Sequence, residues 1–131
     1  MNPYDEKLVI PNYWLSCMLI RKEAMCEQTR SATRAFYIAA PGKTCPTEIL
    51  ETLAQYNAEG RPIWKPMHMQ PLYAQNSFVT ASGDGHTAKE NGTLIVGEDI
   101  FDRGLCLPSD IRMTADEQDR VIEIIRSCFN R

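Results

Sequence analysis

The chain has 131 residues, of which 44% are hydrophobic and 24% are charged, a composition typical of one globular domain with a modest core. The formal net charge is −3 and the basic residues form no run, which argues against a nucleic-acid partner. No apolar stretch approaches the roughly 20 residues that a membrane span needs. Since the N-terminus also lacks a signal-peptide pattern, the sequence predicts a cytoplasmic protein without a membrane segment.

The N-terminal third predicts one strand and one helix. "NYWLSCMLI" (12–20) has the aromatic and aliphatic composition of a largely buried strand, and "KEAMCEQTRSATRAF" (22–36) predicts a short helix and loop. A stronger helix begins at Pro46, which suits the first helical position, and Gly60 is expected to supply a left-handed stop. Its apolar face is formed by Ile49, Leu50, Leu53 and Tyr56.

Residues 75–97 predict a protruding hairpin or long mobile loop. Two stretches of strand composition flank the Gly, Asp and Asn rich segment "GDGHTAKENG" (83–92). That segment lacks the Gly-Lys-Ser/Thr ending of a phosphate-binding loop, so it is interpreted as a flexible hairpin tip. A short helix ending at Gly104 and a brief strand, "LCLPS" (105–109), are predicted next.

The last helix has the strongest local signal. Thr114 and Glu117 have the spacing of a capping box, in which each side chain satisfies a backbone donor of the first turn. The predicted core-facing residues are Val121, Ile122, Ile124, Ile125, Cys128 and Phe129, and the predicted water-facing residues are Asp119, Arg120, Glu123 and Arg126. The order of elements predicts an α+β fold, with a small mixed or antiparallel sheet packed by helices.

The cysteines predict no metal site and no disulfide framework. Their number, five, is odd and no two are spaced as CxxC. They are expected to be reduced and mostly buried, as free cysteines usually are. Cys45 stands out because it lies near the start of a predicted helix, where a thiolate is stabilised.

The segment "RPIWKPMHMQP" (61–71) concentrates unusual residues and is the main candidate for binding. Its prolines exclude a helix, so an extended chain is predicted. Alternate residues of an extended chain share a face, which groups Trp64, Pro66, His68 and Gln70. Lys65 could also reach a polar ligand. A ligand contact and a structural, hydrogen-bonded role for His68 remain equally open.

Two other groups of residues are weaker candidates for a functional site. Glu98, Asp99 and Asp102 could be metal ligands, but they are better explained as charges that complement a helix dipole, with Asp102 and Arg103 solvated. A Ser16–His68–Asp99 triad can be assembled on paper, but no Gly-x-Ser-x-Gly elbow supports it.

Three segments resemble a known family. They are "PNYWLSCMLI" (11–20), "GKTCPTEILETLAQYNAEGRPIWKPMHMQPLY" (42–73) and "GEDIFDRGLCLPSDIRMTADEQDRVIEIIRSCF" (97–129). In this order they resemble the C-terminal part of pyridoxal-phosphate (PLP)-dependent sugar aminotransferases of the DegT/DnrJ type, particularly the pilin-glycosylation and exopolysaccharide branch. "RPIWKPMHMQP" and "FDRGLCLPS" (101–109) are the most specific matches.

The resemblance implies the aspartate-aminotransferase fold (PLP fold type I), in which a large domain holds the cofactor and a smaller α+β domain follows. Residues 1–131 match the smaller C-terminal domain, and residues 75–97 lie where one branch of the family carries an insertion. "MNPYD" (1–5) is similar to sequence inside the longer enzymes. The hypothesis is therefore a truncated product in which Met1 is an internal methionine acting as a start.

The resemblance also implies what this chain lacks. Amino transfer needs a lysine that forms a Schiff base with PLP, an acid against the pyridine nitrogen and a phosphate cup, and the family carries all three in the large domain. The five lysines here, Lys7, Lys22, Lys43, Lys65 and Lys89, do not match the family's cofactor segment. We therefore expect no catalytic residue, no bound PLP and no transaminase activity in this chain alone.

For the complete enzyme, the resemblance implies a homodimer, a nucleotide-linked keto-sugar as amino acceptor and glutamate as donor. His68, Trp64, Lys65 and Gln70 are the expected substrate-binding residues, with no metal ligand among them. The alternative is a non-catalytic module, derived from such an enzyme, that binds a partner or self-associates through surface that the large domain would cover.

Overall fold

The computed structural model describes residues 5–31 and 34–130. Within those ranges the fold is α+β, as predicted, with four α-helices and three small antiparallel sheets. The helices are α1 (Pro46–Gln55), α2 (Gly85–Glu90), α3 (Val96–Arg103) and α4 (Ala115–Phe129). The strands are β1 (Cys17–Leu19), β2 (Glu27–Arg30), β3 (Ala35–Ile38), β4 (Arg61–Pro62), β5 (Val79–Thr80), β6 (Gly83–Asp84) and β7 (Gly104–Cys106).

The central sheet has the order β1-β7-β4, and β7 is antiparallel to both neighbours. All three residues of β7 are buried. Gly104 is the first residue of β7. A larger residue does not fit here, because a Cβ would overlap the Ile100 carbonyl oxygen and crowd the Leu19 side chain. The α3–β7 junction therefore requires glycine for close approach, and its extended φ of −105° makes no left-handed turn.

The core lies where α1 and α4 pack together against β7. Its buried members are Ile20, Ile49, Leu53, Leu105, Ile124, Ile125 and Cys128. Ile49 and Leu53 confirm the predicted apolar face of α1, while Tyr56 is 52% exposed at its C-terminal end. Pro46 occupies the first turn of α1, as predicted.

α4 confirms the capping-box prediction. The Glu117 amide donates to Thr114 Oγ1 at 3.3 Å, and Glu117 Oε2 accepts from the Thr114 amide at 2.8 Å. The predicted polar face is exposed, and the predicted apolar face is buried or half-buried except at Ile122.

The N-terminal strand is shorter than predicted. The prediction covered residues 12–20, whereas β1 begins at Cys17. Tyr13 has a φ of 50°, and Asn12 Oδ1 accepts from the Trp14 amide at 3.1 Å. This local turn interrupts the extended chain and leaves the Trp14 side chain exposed.

The predicted helix and loop at residues 22–36 are largely wrong. A single 3-10 turn spans Lys22–Ala24, and the antiparallel pair β2–β3 follows. Long-range contacts favour the strands, because the Gln28 and Arg30 side chains both donate to the Asp102 carbonyl at the end of α3. These contacts have no local sequence signature.

The prediction that Gly60 ends this helix in a left-handed conformation is also wrong. α1 ends at Gln55, and the left-handed residue after it is Asn57, with a φ of 57°, a conformation that asparagine tolerates better than most residues. Gly60 instead lies in a closely packed position, since a Cβ there would lie 2.8 Å from Leu50 Cδ2 and 3.2 Å from the Cys106 carbonyl oxygen.

Residues 75–97 contain a hairpin that is smaller than predicted. β5 and β6 contribute two residues each, and α2 follows where a loop was predicted. Asp84 caps α2 by accepting from the Thr87 amide at 3.0 Å. The second predicted strand, 93–97, is wrong because Val96 already begins α3.

Four of the cysteines are buried and Cys17 is exposed, which confirms mostly buried free thiols. Cys45 precedes α1, but burial raises the pKa of its thiol to about 12, outweighing the backbone hydrogen bonds from Glu48 and Thr47. The position of Cys45 before α1 therefore does not favour a thiolate. None of the helices in the described part of the chain is both long enough and apolar enough for a bilayer.

Candidate functional site

The segment 61–71 is extended only at its beginning. β4 covers Arg61–Pro62, and 3-10 turns then span Met67–Met69 and Pro71–Tyr73. Because these turns rotate successive side chains, the alternating face predicted for Trp64, Pro66, His68 and Gln70 does not form along the whole segment.

Trp64 lies at the surface and not in the core. Its side chain is 64% exposed, and its ring lies 6.0 Å from the Trp14 ring, tilted by 36°. Met67 is exposed as well. The two tryptophans therefore form an aromatic surface at the point where the chain before β1 meets the chain after β4.

His68 is held from two directions. Its Nε2 lies 3.0 Å from Glu98 Oε1, and its ring stacks on Phe78 with a centroid separation of 3.9 Å. The side chain is 15% exposed. The hydrogen-bonded role that the sequence left open is therefore observed, with the Glu98 carboxylate as the partner.

Glu98 links His68 to the first turn of α3 and to α2. Lys89 Nζ donates to both carboxylate oxygens, at 2.9 and 2.7 Å. Burial alone would raise the pKa of Glu98, but the hydrogen bonds from Lys89 and His68 outweigh it and hold the pKa below its ordinary value. Glu98 is thus ionised at neutral pH and fixes the orientation of the imidazole.

Lys65 and Gln70 do not join this cluster. Lys65 is exposed. The Gln70 side-chain amide donates to the Lys65 carbonyl at 3.4 Å and contacts Met67 Sδ at 3.3 Å. Gln70 therefore stabilises the turn around His68 in this structure.

The sequence analysis missed Phe78 and Lys89 as members of this site, and it did not connect Glu98 to His68. Phe78 also contacts His86 edge-on, with ring centroids 5.1 Å apart. Glu98 was noticed as an acidic residue, but nothing in its neighbourhood points to a histidine 30 positions earlier. The contact arises from the fold between residues 75 and 98.

The other acidic residues bind neighbouring cations. Asp99 forms two hydrogen bonds with Arg103, at 2.9 and 2.5 Å, and an ion pair with Lys22 at 3.4 Å. Glu98 and Asp99 lie in the first turn of α3, as the helix-dipole interpretation predicted. Arg103 is 17% exposed, so its predicted solvation is wrong. No group of three candidate metal ligands occurs among residues 5–31 and 34–130.

A cleft of about 730 Å³ opens on the α3 side of Glu98. Arg30 lines it and lies over the Phe101 ring, 4.2 Å from the centroid. Its Nη2 donates to the Asp102 carbonyl, whereas its buried Nη1 has no partner in the described part of the chain. Burial lowers the pKa of Arg30 and the Asp102 carboxylate partly offsets this effect.

Two comparisons with known proteins find related sequences. Residues 17–126 match the model of the DegT/DnrJ/EryC1/StrS aminotransferase family. The chain belongs to this family. It is also 44% identical over 85 residues to "Putative pyridoxal phosphate-dependent aminotransferase EpsN" of Bacillus subtilis (strain 168), an alignment covering 65% of this chain and 20% of EpsN. The matched part of this aminotransferase-family chain thus spans about a fifth of that relative's length.

The lysines of this DegT-family chain do not form a PLP site by themselves. A lysine that reacts with the cofactor aldehyde is activated by desolvation or by a neighbouring cation. Lys7, Lys22, Lys43, Lys65 and Lys89 are all exposed, and Lys22 and Lys89 are paired with carboxylates. The residues present therefore do not fit covalent attachment of PLP.

Proposed function

We propose that this chain is the C-terminal domain of a PLP-dependent nucleotide-sugar aminotransferase, and that Trp64, Lys65, His68 and Gln70 border the sugar-nucleotide pocket of the complete enzyme. The observation that carries the proposal is the fixed imidazole of His68 within a family motif. Its Nε2 is occupied by Glu98, which leaves Nδ1 for a ligand. A ring that is held before the ligand arrives binds with less loss of conformational entropy.

The chemistry of the surrounding surface suits a sugar nucleotide. An exposed tryptophan face packs well against a sugar or base, and Trp64 with Trp14 provides one. The exposed Lys65 ammonium can bind a phosphate oxygen, and an imidazole nitrogen can bind a sugar hydroxyl. Gln70 supports this surface through the turn around His68.

The chemical step belongs to a part of the enzyme outside this sequence. PLP, when bound by a complete enzyme, acts as the electron sink for amino transfer, and this chain provides no desolvated lysine for it. The chain alone is therefore inactive and contributes substrate recognition. Family resemblance supports a homodimer, a keto-sugar acceptor, glutamate as donor and a role in glycan biosynthesis.

The test has a cofactor arm and a substrate arm. In the first, the chain is incubated with PLP and glutamate, reduced with borohydride and mapped by mass spectrometry. We expect scattered labelling of exposed lysines and no 2-oxoglutarate. A stoichiometric adduct at Lys65, or turnover of glutamate, would overturn the proposed inactivity.

In the substrate arm, UDP-N-acetylglucosamine and UDP are titrated separately while the side-chain NMR signals of Trp64 and His68 are followed. We expect both signals to shift, and we expect the shift of His68 to shrink in Trp64→Ala. The matched control is Tyr56→Ala, which removes another exposed aromatic ring. Signals that stay unmoved at millimolar nucleotide would remove the substrate-binding assignment.

A second candidate function is a non-catalytic module that self-associates. It is favoured by the large apolar side chains at the surface, of which Ile10 is 93%, Leu72 79% and Trp14 69% exposed. Apolar surface of this kind promotes association. The oligomeric state distinguishes this candidate from a monomeric domain.

A further inference from the structure

Two cysteines face each other across the central sheet. Cys17 on β1 is the direct register partner of Cys106 on β7, and their Sγ atoms are 3.6 Å apart in a thiol–thiol hydrogen bond. They are 89 positions apart in the sequence, so only the fold brings them together. We call them the cysteine pair.

Antiparallel strands contain hydrogen-bonded and non-hydrogen-bonded residue pairs, and the backbone hydrogen bonds that flank the cysteine pair show which of the two it is. The Leu107 amide donates to the Ser16 carbonyl at 2.8 Å, and the Ile20 amide donates to the Arg103 carbonyl at 3.0 Å. Hydrogen-bonded and non-hydrogen-bonded positions alternate along an antiparallel ladder, which makes the cysteine pair a non-hydrogen-bonded position. Such positions place Cα atoms about 4.5 Å apart, within the range of about 4.4–6.8 Å that a disulfide spans.

The two thiols differ in access to solvent. Cys17 is exposed, whereas Cys106 is 3% exposed. Burial, assisted by the hydrogen bond between the two thiols, raises the pKa of the Cys106 thiol to about 11. Cys17 is therefore the thiol that a reagent in solution meets first, and Cys106 can react only with its neighbour.

We propose that the cysteine pair is a modification site that forms a reversible disulfide with low-molecular-weight disulfides such as oxidised glutathione. The Cys17 thiolate attacks one glutathione sulfur, forms a mixed disulfide and releases one glutathione thiolate. The Cys106 thiolate then attacks Cys17 Sγ and releases the second glutathione. Two protein thiols are oxidised, one reagent disulfide is reduced to two thiols, and two protons leave the protein.

The disulfide would fix an edge strand. β1 pairs with β7 on one side and lies at the edge of its sheet, so local opening of this ladder would separate β1 from a single neighbouring strand. A covalent bond from Cys17 to the buried strand β7 prevents that opening. It also restrains the chain just before β1, which carries Trp14. The inference concerns the sheet and does not depend on the proposed function.

The experiment uses the folded 131-residue chain with oxidised glutathione at neutral pH, followed by alkylation and non-reducing peptide mapping. We expect two of the five thiols to disappear and one linkage to form, between the peptides containing Cys17 and Cys106. Dithiothreitol should restore both thiols. Hydrogen exchange at the Ile20 and Leu107 amides should slow in the oxidised chain and recover on reduction.

Variants separate the two steps. Cys17→Ser, at an exposed position, should abolish the linkage and leave the remaining thiols unreacted. Cys106→Ala, checked for folding by circular dichroism, should accumulate glutathione on Cys17. The buried Cys26, Cys45 and Cys128 are internal controls. The proposal is overturned if the natural chain stops at the mixed disulfide, links other cysteines, keeps all its thiols, or shows unchanged exchange after oxidation.

Discussion

Glu98 is the residue on which the orientation of His68 depends. Glu98→Gln keeps the shape of the side chain but replaces the ionised acceptor of Lys89 and His68. Charge-assisted hydrogen bonds are stronger than neutral ones, so the free energy of unfolding should fall by about 1 kcal/mol at neutral pH. Urea unfolding measures the loss, and Glu90→Gln, at an exposed position of α2, is the matched control.

The same variant gives a pH test with a defined sign. Because the pKa of Glu98 is lowered in the folded state, its contribution is fully present above the ordinary value of about 4.3 for glutamate and is lost as the pH falls through the folded pKa. The stability difference between the natural chain and Glu98→Gln should shrink below about pH 4. A difference that persists in acid would contradict an ionised Glu98.

At the level of single residues, the sequence could indicate which side chains matter but not which residues they contact. His68 and Trp64 stand out by composition alone. Phe78 lies in a segment predicted as a hairpin or loop, whereas Glu98 lies in the short helix that was predicted before Gly104. Neither prediction indicates how these elements pack on His68, so the partners could not be assigned before the fold was known.

Among the secondary-structure elements, α4 begins at a capping box, and the protein should lose stability when that capping box is removed. Thr114→Ala deletes the hydroxyl that accepts from the Glu117 amide, and loss of an N-cap lowers the free energy of unfolding by about 1 kcal/mol. Thr114→Ser should retain most of that stability. Thr93→Ala, in the loop before α3, is the control, and a loss of equal size there would contradict the capping explanation.

The elements that were predicted correctly are those with local causes. The capping box of α4 and Pro46 in α1 act within one turn, so their effect can be derived from neighbouring residues. β1 and β4 depend instead on β7, a partner far along the chain. β2 pairs with the nearby β3, but its Gln28 and Arg30 side chains also contact the distant end of α3.

For the molecule as a whole, the exposed apolar surface predicts association between copies. Ile10, Trp14 and Trp64 are 93%, 69% and 64% exposed, and the Trp14–Trp64 contact joins the N-terminal chain to the candidate site. Burying apolar surface contributes about 25 cal/mol per Å², and a stable interface buries roughly 1,200–2,000 Å² in total. Tryptophans are frequent anchors of such interfaces, and Trp14 and Trp64 lie side by side at the surface.

Sedimentation equilibrium should therefore give a mass of at least twice the 14.9 kDa of one chain. Trp14→Lys should shift the equilibrium toward the monomer, because an ammonium at the centre of an apolar interface loses hydration without gaining a partner. Ile111→Lys, at a fully exposed apolar position in the loop before α4, is the matched control and should leave the mass unchanged. A monomer at every concentration would remove both the self-associating module and the expectation that this domain contributes to a dimer interface on its own.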